Sequence, residues 1–343
     1  MKKLISLALC FLLIFSVMGC SNSNKKVLYV YNWGNFIADG IIEQFEKETG
    51  IKVVYEEYDD NENMYTKVKA AGDMYDIVVP SDYMVKKMSD EGMLAPINKE
   101  NIPNLANLEE RYLNMSFDEG NKYSVPYFVG TVGILYNTDL VNEDITKMSS
   151  MFDSKYAGKV CMLHSMRDTI GMTLKMLGYS MNDTNKSHIN AARDKLIKQK
   201  PNVKAYGTDD LSRKVLDGTA AMALVYSGEG IKAVTEQPHN MRFVIPEEGS
   251  NLAIDSFVIL KDSKHKEEAE QFINFMLRED IALKNAKETG YTTPNKVAKE
   301  KLPDDMKNDA SRYPTEDILD KCEVFYSDNK HYVEAWDLIL AAN

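Results

Sequence analysis

With 343 residues the chain is long enough for two lobes, or for one large domain around a shared core. Its 44% hydrophobic, 27% charged and 10% aromatic content excludes a disordered, collagenous or multi-span membrane protein. Acidic residues exceed basic ones by 52 to 41, a net charge of −11, which argues against nucleic acid or an anionic membrane surface as the working partner and favours cationic ones.

The chain begins with a processing segment. Lys2 and Lys3 form a positive n-region, residues 4–18 are an apolar run too short to span a bilayer and stay there, and Val17-Met18-Gly19-Cys20 supplies a small-residue cleavage site ending in Cys. The segment resembles a bacterial lipoprotein signal, with residues 1–19 removed and the Cys20 thiol lipidated. An ordinary secretory signal cleaved nearby is the other reading. Loss of residues 1–19 takes two lysines and no acid, moving the net charge from −11 to −13. Residues 20–26, with Ser21, Asn22, Ser23 and Asn24, read as a flexible tether. The remaining thiols, Cys161 and Cys322, are spaced so as to exclude a CxxC zinc or redox site; a disulfide between them stays open.

From Val27 onward strand-like and helix-like periods alternate. Residues 27–31 predict a strand, 40–49 a helix with Ile41, Ile42 and Phe45 at helical spacing and Gly50 closing it, and 51–58 a second strand. A helix over 61–71, a fully apolar strand over 76–79 and a helix over 83–90 stopped by Gly92 complete a β-α-β-α-β-α unit, which points to an α/β lobe with ligands at the carboxyl ends of its strands. After an extended stretch over 123–137 come a strand at 159–163, helices at 169–177 and 187–199, and strands at 220–226, 241–245 and 252–260. The next helix carries Ala269, Phe272, Ile273, Met276 and Leu277 on one face, a stripe expected to pack in the core. No long linker separates the two α/β sets, so crossover strands and a hinged cleft are expected.

Enzyme motifs are scarce. The chain has no GxxxxGK[ST] phosphate loop, HExxH or GxSxG string. Its five His residues stand singly among polar neighbours and read as surface residues. What the chain does offer is a set of aromatics and carboxylates near strand ends. Trp33, just after the first strand, reads equally as a half-buried core residue and as a ligand contact. Tyr83 follows the third strand, and Ser81 before it is either a helix N-cap or a ligand contact. Asp255 interrupts the apolar strand Leu252-Ala253-Ile254-Asp255-Ser256-Phe257, where an unpaired acid is costly, so it calls for a cation or hydrogen-bond donors; a solvent-facing edge or an internal Lys or Arg is the other reading. Asp168 opens a helix, where capping explains it as well as ligand binding does, at a position expected to lie nearer solvent. Rings plus carboxylates in a cleft suit alkyl ammonium ions, whose methylenes lie on apolar faces and whose N–H groups donate to acids.

The strings Val30-Tyr31-Asn32-Trp33, Phe45-Glu46-Lys47-Glu48-Thr49-Gly50-Ile51-Lys52-Val53, Asn61-Glu62-Asn63-Met64-Tyr65, Tyr75-Asp76-Ile77-Val78-Val79-Pro80-Ser81, Ser124-Val125-Pro126-Tyr127 and Gly290-Tyr291-Thr292-Thr293-Pro294-Asn295 resemble the spermidine/putrescine-binding proteins of polyamine ABC importers, over residues 27–314. The resemblance implies an α/β, two-lobed periplasmic-binding-protein fold of type II, each lobe a mostly parallel sheet flanked by helices, with the ligand cleft between lobes. It implies lobe 1 over 27–131 and 253–312, lobe 2 over 132–252 and 313–343, and ligand contacts at Trp33, Phe36, Ser81, Tyr83, Asp168, Tyr226, Asp255 and Tyr291. Three departures stand out. A Trp of spermidine binders is Ala253 here, acids of the family fall on Asn35 and Ser165, and a C-terminal Gln contact has no firm counterpart near Glu323. Glu229 is a candidate to replace a missing acid.

The expectation is a monomeric solute-binding protein without catalytic residues, cofactor or metal. It would be lipid-anchored outside the cytoplasm, at the outer face of the cytoplasmic membrane or in the periplasm, and would deliver a polyamine to an ABC permease. Its rivals are the same fold binding another small solute, and an extracytoplasmic lipoprotein hydrolase.

Overall fold

The computed structural model describes residues 26–71, 74–208, 210–326 and 329–342. The signal segment and Cys20 lie outside them. Strand β1 (Val27–Trp33) runs parallel to β2 (Lys52–Tyr58) on one side and to β3 (Ile77–Val78) on the other. Helix α1 (Ile41–Thr49) makes the first crossover by burying Ile41 and Phe45, and it ends at Gly50, whose φ of 75° is the left-handed C-cap conformation that glycine reaches without Cβ strain. Helices α2 (Asn61–Ala71) and α3 (Asp82–Asp90) follow β2 and β3. This matches the β-α-β-α-β-α period of the sequence.

The stretch over 123–137 is a single strand, β4 (Ser124–Asn137), buried along almost its whole length. It links two parallel sets. From Ser124 to Thr131 it pairs antiparallel with β9 (Leu252–Ile259), which also pairs with β3; from Val132 to Tyr136 it pairs antiparallel with β7 (Met222–Tyr226). Beyond β7 lie β5 (Val160–Leu163) and β6 (Val203–Gly207), both parallel, and β8 (Met241–Val244) pairs with the end of β4. The resulting order is β2-β1-β3-β9-β4-β7-β5-β6. Every antiparallel pair involves β4 or β9, so each lobe keeps a parallel three-strand sheet and receives the crossing strands antiparallel.

Apolar side chains cover both faces of the first sheet. Leu28, Val30, Ile77 and Phe257 belong to one cluster, Tyr31, Val78, Ile254 and Val258 to the opposite one. Helix α8 (Lys266–Met276) supplies the expected stripe to the former, with Phe272 edge-on to Phe45 at 5.0 Å. The second sheet is enclosed by α4 (Met166–Met176), α5 (Lys186–Gln199), α6 (Leu211–Leu216) and α7 (Ser227–Glu236), and by a C-terminal helix (Lys330–Ala341) that buries Tyr332, Ala335, Trp336 and Ile339 against α4 and α5. Sequence periodicity did not mark β6 or α6. Strand β6 is half-buried and lies at the sheet edge, where no clean alternation is imposed. Cys161 and Cys322 are both free thiols.

The crossing region is tightly packed at Gly133 in β4, where a Cβ would lie 2.4 Å from the Phe243 ring and 2.6 Å from the Val244 carbonyl oxygen of β8. A backbone oxygen cannot swing aside as a side chain can. Gly133→Ala is therefore expected to destabilise the protein by about 1–3 kcal/mol, read as a lower midpoint in thermal or urea unfolding. An unchanged midpoint would mean that β4 and β8 separate at no cost.

Candidate functional site

The carboxyl ends of the parallel strands face one another where β4 and β9 cross. Trp33 is the last residue of β1, Ser81 follows β3, Ser165 follows β5 and Tyr226 ends β7. Asp255 enters from the middle of β9, opposite Phe128 of β4. Trp33, Ser81, Tyr226 and Asp255, four of the eight residues anticipated from sequence, thereby fall at this crossing.

Ser81 connects the first of them. It occupies the N-cap position of α3, but its side chain accepts no hydrogen bond from the helix; its hydroxyl instead donates to Asp255 Oδ1 at 2.7 Å, and Asn61 Nδ2 donates to Ser81 Oγ at 3.1 Å. The capping alternative is thus set aside by where the hydroxyl points. Asp255 is only 9% exposed, and no Lys or Arg among the described residues pairs with it. Burial pushes its carboxyl up to about 7, with the Ser81 bond acting in the opposite direction.

Asp168 does not lie near solvent as its helix-start position suggested. It is 6% exposed, and the cap of α4 is Ser165, whose Oγ accepts from the Asp168 N–H. A helix start in this fold points into the cleft rather than outward, which is why the surface expectation fails. Both carboxylate oxygens of Asp168 are occupied: Oδ2 accepts from Ser165 Oγ at 2.6 Å and Tyr226 OH at 2.9 Å, and Oδ1 from Asn251 Nδ2 at 2.9 Å. Proximity to Asp168, added to burial, raises the Tyr226 phenol well above its ordinary range.

A third carboxylate went unnoticed in the sequence. Asp82, the first residue of α3, is 2% exposed; its Oδ1 accepts from the Tyr83 N–H at 2.6 Å. Burial, followed by the charges of Asp255 and Asp168, raises its pKa well above the usual carboxylate range, against the backbone donors of Tyr83 and Ile254. Acids in a first helical turn are ordinary, so only burial singles it out. Asp82, Asp168 and Asp255 are not ion-paired to Lys or Arg, and among the described residues no group of His, Cys, Asp and Glu is arranged to hold a metal ion.

Aromatic rings wall the carboxylates. Trp33 lies 4.6 Å from Tyr58 and 6.0 Å from Phe36, and Phe36 lies 4.5 Å from Tyr291. Phe36 is itself buried against Phe128, so it backs the Trp33 and Tyr291 rings. Helix α7 comes so close to Tyr291 that a Cβ on Gly228 would be 2.5 Å from the ring. One face of Tyr83 is already taken by the protein's own cation: the Arg167 guanidinium stacks on it at 3.7 Å while donating to Glu62 of α2 at 2.8 Å. This clasp joins α4 of the second lobe to α2 and α3 of the first. Glu229 accepts from Ser212, and Glu323 from Lys175, so both carboxylates are engaged within the second lobe.

Residues 40–315 match the family described as bacterial extracellular solute-binding protein. The chain is 39% identical over 303 residues to the spermidine/putrescine-binding periplasmic protein of Salmonella typhimurium, covering 88% of this chain and 87% of that one. It superposes on the crystal structure of the spermidine/putrescine ABC transporter substrate-binding protein PotD from Streptococcus pneumoniae with a TM-score of 0.84 and 39% identity, covering 92% of this chain and 98% of the other. For the TpPotD lipoprotein of Treponema pallidum the TM-score is 0.83 at 27% identity, over 92% of this chain and 99% of that one.

The raised Asp255 carboxyl carries a signed consequence. Its ordinary value is 3.8 and its folded value about 7, so between those values the folded protein holds a proton that the unfolded chain has lost. Stability of the ligand-free protein therefore falls as pH rises through that window, by about 3–5 kcal/mol for this group, and Asp82 adds in the same direction. Thermal melts at pH 5 and pH 8 should show a smaller decline in Asp255→Asn than in the wild type. Equal declines would place the Asp255 carboxylate in contact with water.

Proposed function

The chain belongs to the bacterial extracellular solute-binding proteins, and from that premise we propose that it captures a polyamine, spermidine or putrescine, between its lobes and delivers it to an ABC permease for import. The observation that carries this reading is the junction of the two lobes, where three buried carboxylates meet no Lys or Arg among the described residues and aromatic rings lie beside them. A linear ammonium compound supplies what is missing: N–H donors for the acids, charge over the rings, and methylenes that gain from leaving water. Acids that do not converge on one point suit a cation with spread charge rather than a metal ion.

In this reading Asp255 and Asp168 receive ammonium groups from opposite lobes, Ser81 orients Asp255, and Trp33, Tyr83, Tyr226 and Tyr291 line the alkyl chain with Phe36 behind them. The lobes comprise residues 27–131 with 253–312, and 132–252 with 313–343, hinged at the crossing of β4 and β9. The protein is a monomer outside the cytoplasm, held to the cell membrane by acyl chains on Cys20. Support for the anchor comes from the lipoprotein-like segment around Cys20, from the likeness to the Treponema lipoprotein, and from the fact that no helix among the described residues is long and apolar enough to cross a membrane. The relatives are binding proteins of transport systems, which removes the hydrolase rival.

Calorimetric titration of the wild type with spermidine and putrescine tests the reading; saturable binding and a raised melting midpoint with no product formed are expected, and absence of binding to both would leave the fold with another solute. Asp255→Asn should weaken binding about hundredfold to several thousandfold, since removing one side of a buried charge pair costs about 3–5 kcal/mol. Binding within about threefold of wild type would remove Asp255 from the site. Cys20→Ala should release the protein from the membrane fraction; retention there would locate the anchor elsewhere.

A further inference from the structure

We propose that Asp82 is a third ammonium-binding carboxylate, and that it adapts this cleft to a linear cation with three charged nitrogens rather than two. The inference rests on the polyamine reading above and adds a residue and a ligand preference to it.

The contrast between Asp82 and Asp168 carries the argument. Both are acids in the first turn of a helix that begins at the cleft, and both are buried. Asp168 has every carboxylate oxygen engaged by Ser165, Tyr226 and Asn251. Asp82 has one oxygen on the Tyr83 N–H, and although the Ile254 N–H lies near the carboxyl, no donor reaches the buried Oδ2 with hydrogen-bond geometry. An acid placed at a helix N-terminus for the macrodipole alone gains about 0.3–1 kcal/mol near water and has no reason to be dehydrated. A dehydrated acceptor without a donor costs about 1–3 kcal/mol or more when charged, which a bound N–H donor would offset.

Position agrees with this role. Ser81, the residue immediately before it, holds Asp255, and Asp82 is close enough to feel the charges of both Asp255 and Asp168. Without Asp82 the buried acids at this junction are two, Asp168 and Asp255. With Asp82 there are three, two on the first lobe and one on the second. A diamine can be neutralised by two of them, whereas a triamine uses all three.

The test compares wild type, Asp82→Asn and Asp82→Ser by calorimetric titration with spermidine and with putrescine at one pH and ionic strength, together with melting of the ligand-free proteins. Expected are a loss of spermidine affinity of about 30-fold or more in both variants, a change of under about threefold for putrescine, and a ligand-free midpoint level with or above wild type. Equal losses for both ligands, or none for spermidine, would overturn the proposal, as would a ligand-free midpoint that falls in both variants, the signature of an acid kept for the stability of α3. A wild type that binds neither compound would instead overturn the polyamine reading, and the triamine preference with it.

Discussion

Acids dehydrated where the two lobes meet are the constraint on which the rest of the molecule depends. Asp82 and Asp255 come from the first lobe, Asp168 from the second, and among the described residues none is paired with Lys or Arg. Burial holds Asp255 and Asp82 toward their protonated forms, and a polycation placed between the lobes would favour the charged forms instead. A cation held by acids of both lobes would favour a closed arrangement to the extent that its affinity is higher there. At the rim the protein uses its own opposite charges: Arg167 reaches from α4 to Glu62 and lies on Tyr83.

The apolar half of the site follows from the same need to exclude water. Trp33, Tyr58, Phe36 and Tyr291 form a continuous run of rings, each within about ring-contact distance of the next. Trp33 Nε1 is buried without an acceptor, a further polar group that the ligand-free cleft leaves unmatched. The cost of such groups is met by the packing around them, as where Gly228 lets α7 approach Tyr291.

Local periodicity made the helices and parallel strands legible, because burial on both sheet faces leaves apolar runs punctuated by glycine and by helix caps. Pairing was not legible. The unbroken apolar stretch of β4 carries Pro126, Gly130 and Gly133 and reads as merely extended, and only its long-range partners β9 and β7 make it a strand shared by two sheets. Asp255 stood out because an acid in an apolar strand breaks a rule. Asp82 did not, because an acid opening a helix obeys one, and its burial is a property of the assembled cleft. The choice between cap and site at Ser81 and Asp168 likewise turned on side-chain direction, which spacing does not encode. The place of Phe36 came from likeness to other chains and not from its own neighbours in sequence.

The position of β9 also dictates an order of assembly. Strands β5 to β8 all lie in the interval between β4 and β9, so the second sheet can pair as soon as residue 244 has been made. The first sheet cannot close then. The strand between β3 and β4 is β9, whose Ile259 sits beside Ile77 across a gap spanning about half of the chain, and until it arrives β3 and the first half of β4 present unpaired edges. Such long-range pairing is slow. During synthesis the sheet begun first is thus the sheet closed last, and the nascent chain must keep two open sheet edges from other partners until β9 closes them.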